Sequence, residues 1–127
     1  MIEEDFRPIS EKERAILQRL LKHNFRGHQD LERQLEGLLA RQIDEEGSLR
    51  LKVVSKVRAS IPGGVAVEGR YSDAPSVDPC SPHVNILLHV GDGQMRMLER
   101  YKDDSSPIKK EPDPAELQLF SQFEDSR

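Results

Sequence analysis

Apolar residues recur at helical spacing near the start of the chain, where they predict two helices. The first helix has a stripe of apolar residues on one side: Ala15, Ile16, Leu17, Leu20 and Leu21. Ser10-Glu11-Lys12-Glu13 has the pattern of a capping box, in which the first and fourth side chains bond each other's backbone amides. We expect this helix to end near His23-Asn24 and a second helix to run from about Gln29 to Leu39.

From Leu49 onwards apolar and polar residues alternate, which predicts strands of a sheet. The first alternating run ends before Pro62-Gly63-Gly64, and a second run extends from Val65 to Tyr71. Two further short strands are expected at Arg41–Asp44 and Pro107–Lys109.

The strongest strand signal is a β-hairpin from His83 to Lys102, because Asp92-Gly93 supplies the positive φ angles that a tight turn needs. With Asp92-Gly93 as the loop, Ile86 faces Glu99. Glu99 is then the one carboxylate on an otherwise apolar face. Such a group must find a partner, lie at the rim or shift its pKa upward. Two interpretations stay open: a rim carboxylate paired with a Lys or Arg, or an acid in a cleft.

Helices followed by a meander of antiparallel strands are typical of an α+β fold. We predict a single α+β domain over residues 10–111, with two N-terminal helices packed on an antiparallel meander sheet of about five strands. Residues 1–9 form an N-terminal leader in this prediction, and residues 112–127 form a C-terminal helical segment or tail. A short C-terminal helix is expected from Ala115 to Phe123, since Asp113-Pro114 suits a helix start.

Charge and cysteine content narrow the classes of function. The net charge of −4 argues against a general nucleic-acid binder, which needs a positive surface to displace counterions. No apolar run approaches the length of a membrane span, and the acidic N-terminus is not a secretory signal. Cys80 is the only cysteine, so no internal disulfide can form. We therefore expect a cytoplasmic protein without membrane contact.

The sequence has no motif for a metal or a cofactor. His83 and His89 share a strand face but are separated by roughly 20 Å at the rise of a strand, too far to bind one ion. The turn glycines do not lead into a helix, as a phosphate-binding loop requires. We expect no cofactor. The candidate functional residues are Glu99, Tyr101 and His89, on the hairpin.

A basic stripe is the other candidate feature. It comprises Arg50, Lys52, Lys56 and Arg58, to which the hairpin adds Arg96, Arg100 and Lys102. These residues are expected to form either a solvated face or a docking surface for an acidic partner protein. Asp73, by contrast, is predicted to be a solvated loop acid.

Two sets of segments resemble a small, uncharacterised bacterial family of domains of unknown function. The set similar to the opening of the family is Arg7–Arg14, Leu20-Leu21 and Asp44–Leu51. The set similar to its later part is Leu87–Val90, Asp92-Gly93, Leu98–Tyr101 and Pro112–Pro114. The shared motifs are structural, and the family implies no activity for any residue.

Function is therefore open between two main interpretations. The first is a non-catalytic protein-binding module, an immunity, regulatory or accessory protein with an unknown protein partner, present as a monomer or homodimer. It rests on analogy with small α+β proteins found beside toxin genes. The alternative is a small enzyme or ligand-binding protein with a cleft near Glu99. A nucleic-acid accessory protein is a third class, which the net charge disfavours.

Overall fold

A computed structural model describes residues 5–74 and 81–124 and shows a seven-stranded antiparallel sheet. The strands are β1 (Arg7–Pro8), β2 (Leu39–Gln42), β3 (Leu49–Lys52), β4 (Gly64–Ser72), β5 (His83–Gly91), β6 (Gln94–Lys102) and β7 (Gln118–Phe120). Their order across the sheet is β1-β2-β3-β6-β5-β4-β7. The predicted count of about five strands is wrong, because the edge strands β1 and β7 are too short to show alternation.

Two helices accompany the sheet, α1 (Glu11–Leu21) and α2 (His28–Arg33). The capping box of α1 is confirmed: Ser10 Oγ accepts from the Glu13 amide at 3.1 Å, and Glu13 accepts from the Ser10 amide at 2.8 Å. The second helix is shorter than predicted. Gly37 adopts φ +73°, outside the helical region, and Leu39 already belongs to β2. Neither described helix is long and apolar enough to cross a membrane.

The core lies between α1 and one face of the sheet. Leu17, Leu20 and Leu21 have no solvent exposure, and neither do Ile86 and Leu88 of β5. The helix approaches β4 closely at Gly69, where an added Cβ would lie 3.2 Å from Leu20 Cδ2. A side chain at that position would therefore crowd Leu20 and Leu117 in the core.

The hairpin of β5 and β6 forms as predicted at its loop but not along its strands. Asp92 and Gly93 both have positive φ, and Gly91 pairs with Gln94. The register then shifts, so that His89 faces Met97 and Arg96 is an extra residue in β6. A bulge of one residue moves every later side chain to the opposite face.

The predicted facing of Ile86 and Glu99 is wrong for this reason. Ile86 faces Arg100, and Glu99 faces Leu87 on the side of the sheet away from α1. Glu99 is therefore not a carboxylate on the apolar core face.

The predicted C-terminal helix is replaced by a 3₁₀ turn, Pro114–Glu116, followed by β7. Asp113 does cap this turn, since its carboxylate accepts from the Ala115 amide at 3.1 Å. The chain then extends because β7 pairs with β4, whose edge offers free backbone groups. Pro107–Lys109 is not a strand. The prediction for Cys80 lies outside the described residues.

Candidate functional site

The candidate residues lie on the side of the sheet away from α1, called here the outer face. Its members, read from the strand register, include Leu39, Arg41, Arg50, Lys52, Val65, Glu68, Arg70, Asn85, Leu87, His89, Met97, Glu99 and Tyr101. Neither described helix covers this face, and most of its side chains are half-buried or exposed, whereas Asn85 is buried. The outer face is therefore a solvent-accessible surface over most of its described area.

Glu99 and His89 meet on the outer face. Glu99 Oε1 lies 2.8 Å from His89 Nε2, with side-chain exposures of 38% and 29%. The bulge at Arg96 brings them together, since it turns Glu99 to the face that His89 already occupies. Tyr101 follows two residues later on the same face and is 40% exposed. Its hydroxyl has no hydrogen bond to any described residue.

The His89–Glu99 pair is partly exposed. The pair lies on an open strand surface, and four cavities of the described part of the chain, of 210 to 830 Å³, are lined by other residues. Catalytic and ligand sites are usually concave and exclude water. Within the described residues, no hydroxyl or thiol is hydrogen-bonded to His89 as a nucleophile would be.

Two cations lie over an aromatic ring elsewhere on the outer face. Arg41 and Lys52 lie over the Phe6 ring, with 5.3 Å and 5.6 Å to its centroid. Arg41 lies directly opposite Arg50 in the pairing of β2 with β3. Arg41, Arg50 and Lys52, the basic cluster, form no ion pair with a carboxylate of residues 5–74 or 81–124.

The larger basic stripe expected from the sequence does not form one face. Arg100 and Lys102 lie on the core side, because the bulge shifts them there with Leu98. Arg96 is held at the loop, where its Nε donates to the Gly91 carbonyl at 3.1 Å. Only Arg50 and Lys52 of the sheet residues in that stripe share the outer face.

A buried ion pair was not predicted. Lys102 Nζ lies 3.0 Å from Asp73 Oδ1, and both side chains are almost fully buried. Burial alone would raise the pKa of Asp73, but hydrogen bonds from the Lys109 amide and the Lys102 ammonium outweigh it, so its pKa is lowered. The prediction of a solvated Asp73 is wrong, and its loop composition gave no signal of burial.

The largest of the four cavities, about 830 Å³, lies at the connection between α1 and α2. His28 lines it, and its Nδ1 bonds the Leu21 carbonyl at 2.9 Å. His23 instead pairs with Glu124 at 2.8 Å. His28 thus bonds the end of α1, and His23 bonds the C-terminal segment. Among the described residues no three His, Cys, Asp or Glu side chains are grouped as a metal site requires.

Comparison with known proteins gives one match. A family model described as a domain of unknown function (DUF6984) matches residues 6–112. No curated protein and no solved structure matches the chain. The match assigns no activity to any residue.

Proposed function

The chain belongs to the DUF6984 family of domains of unknown function, and we propose that it is a non-catalytic protein-binding module that binds an acidic partner protein on its outer face. The observation that carries the proposal is the register of β2 and β3, which sets Arg41 opposite Arg50. Directly opposed like charges destabilise an antiparallel pair. The basic cluster therefore costs the isolated protein stability.

A partner carboxylate would remove that cost. Guanidinium groups bind carboxylates through two parallel hydrogen bonds, which are stronger than bonds between neutral groups. Phe6 fixes the neighbouring cations over its ring, so they lose less freedom when a partner binds. These contacts support an acidic segment as the occupant of this end of the outer face.

Other residues of the outer face, beside the polar Glu68, His89 and Glu99, supply apolar contacts. Leu87 and Met97 are half-buried at its centre, and Tyr101 is exposed beside them. Aromatic residues, Met and Arg are enriched at protein interfaces, whereas Lys and Glu are depleted. The proposed partner segment therefore carries carboxylates at one end and apolar side chains at the other.

The proposal includes an immunity, regulatory or accessory role in the bacterial cytoplasm, as a monomer or homodimer. The single cysteine of the sequence supports a reducing compartment. The enzyme alternative near Glu99 has less support, because the His89–Glu99 pair lies on an open surface.

The test uses a short fluorescent peptide with Glu residues in one half and Leu residues in the other, and its binding to the full chain is followed by anisotropy at low salt. The variant R41Q/R50Q is compared with K22Q/R33Q, which removes two positive charges from the helices instead. We expect R41Q/R50Q to weaken binding by about tenfold, equivalent to about 1.4 kcal/mol, and the control to bind as wild type.

Equal weakening in the two variants would contradict the proposal, because net charge alone would then explain binding. Tighter binding of duplex DNA or RNA than of the peptide would also contradict it, since phosphate would then be the preferred anion.

A further inference from the structure

We propose that a second site, on the opposite side of the sheet, binds small organic carboxylates through Arg100. The site is a cavity of about 370 Å³ between the start of α1, the β2–β3 turn and the segment after β6. This inference goes beyond the protein-binding function and does not depend on it. The volume lies at the lower end of the roughly 300–1,000 Å³ typical of small-molecule sites.

Arg100 is held in place before any ligand arrives. Its side chain is 11% exposed. Its amide donates to Ser48 Oγ at 2.8 Å, and Ser48 Oγ donates to its carbonyl at 3.2 Å. Gly47 adopts φ +94°, and a Cβ there would lie 3.4 Å from the guanidinium. The β2–β3 turn therefore packs directly against the charged group, which reduces the entropy lost on binding.

The guanidinium is only partly used by the protein. Both oxygens of Glu111 bond the same nitrogen, Arg100 Nη1, at 3.2 and 3.1 Å. The Nε and Nη2 donors bond no described residue. A carboxylate normally engages two nitrogens of an arginine in parallel. Glu111 is itself 71% exposed and can leave at little cost.

The remaining charge of the cavity is positive. Lys12 lines it and forms no ion pair with a described residue. Glu13 also lines it, but Arg7 holds both of its oxygens at 2.8 Å and thereby lowers its pKa. Glu13 is thus already neutralised by a partner. An anion is the ligand that these groups favour.

The other walls are mainly apolar, with Ser10 and Gln42 as polar members, and the apolar ones suit the hydrocarbon part of a ligand. The apolar walls are formed by Ala15, Ile16, Pro112 and Pro114. Apolar walls with a few convergent polar groups are typical of small-molecule sites. The ligand class is therefore a small organic acid with a short hydrocarbon body, and Glu111 acts as its built-in competitor.

The test is hexanoate binding to the full chain by calorimetry, with hexanol as the neutral control. Arg100→Gln should weaken hexanoate binding by about tenfold or more, as expected when hydrogen bonds to a charged group are lost. Glu111→Gln should tighten binding severalfold, because it removes the competing carboxylate. Arg96→Gln, on the same strand at the loop, should leave binding unchanged, and circular dichroism checks that each variant is folded.

Three results would overturn the proposal: equal affinity for hexanol and hexanoate, unchanged binding in Arg100→Gln, or weaker binding in Glu111→Gln. Equal competition by inorganic phosphate would overturn the carboxylate assignment. If Arg100→Gln does not fold, Lys12→Gln replaces it and should weaken binding. R41Q/R50Q should bind hexanoate as wild type, so failure of this site is distinguishable from failure of the outer face.

Discussion

Arg41 and Arg50 lie directly opposite each other in the pairing of β2 with β3. Neither has a carboxylate partner among the described residues, although the chain carries more acidic than basic side chains. A surface selected only for stability would place an acid opposite one of them. The opposed arginines are therefore the feature that a binding function explains and a purely structural role does not.

Arg50→Gln should stabilise the protein while weakening peptide binding. Removing one of two opposed charges is expected to raise the free energy of unfolding by about 0.2–1 kcal/mol. Urea denaturation measures the change. Lys56→Gln is the control for stability, since Lys56 is exposed and lies outside the basic cluster. A loss of stability in Arg50→Gln would show that the arginine has a structural role.

Asp73→Asn should destabilise the fold strongly. It leaves the Lys102 ammonium buried without a counter-charge, which typically costs about 3–5 kcal/mol. Chemical denaturation at neutral pH measures the loss. The double variant D73N/K102M, which removes both charges, should recover much of it. A loss of unfolding free energy near zero in Asp73→Asn would contradict the burial of the Asp73–Lys102 pair.

The same pair predicts an acid-dependent loss of stability. The pKa of Asp73 is below its ordinary value of 3.8 in the folded state, because hydrogen bonds to its carboxylate outweigh burial. The ionised Asp73 carboxylate therefore contributes its full share of the free energy of unfolding above the ordinary pKa. This contribution is lost as the pH falls below about 4 and through the folded-state pKa. The difference between wild type and D73N, measured by urea denaturation against pH, should shrink over that range. A difference that stays constant would contradict the lowered pKa.

The features of the fold that could be predicted from the sequence are those with a signal in neighbouring residues. The capping box at Ser10 and the loop at Asp92-Gly93 are complete within a few residues, and both were predicted. The bulge at Arg96 has no such signal, because a polar residue suits either a regular strand or a bulge. Because the bulge was not predicted, the predicted faces of Glu99, Arg100 and Lys102 were wrong.

His89, Glu99 and Tyr101 were named as candidates from the sequence, but their arrangement was not predicted. The sequence register put His89 and Glu99 on opposite faces, whereas the structure brings them to 2.8 Å. The opposed arginines were missed because the register of β2 depends on its pairing partner, and Arg41 was assigned only to a short strand. Long-range register is the information that local patterns lack.

Tyr71 should titrate at high pH. Burial raises its pKa to about 12, and its hydroxyl donates to the Lys110 carbonyl at 2.6 Å. Tyr101→Phe leaves Tyr71 as the only tyrosine, so ultraviolet titration of that variant reports it alone. The protonated Tyr71 hydroxyl therefore stabilises the fold fully below pH 10, the ordinary pKa of tyrosine. This contribution to stability is lost as the pH rises towards 12. Titration at pH 10 in the folded state would contradict this assignment.

The most direct test of the proposed docking surface is mapping of peptide binding by amide NMR on the full chain. The acidic Glu–Leu peptide is titrated at low salt, and shifts are followed for every assigned amide. We predict that the largest shifts fall on Arg41, Arg50, Lys52 and Met97, with α1 and α2 unaffected. Shifts concentrated on the helices, or no shifts at all, would contradict the outer face as the binding surface.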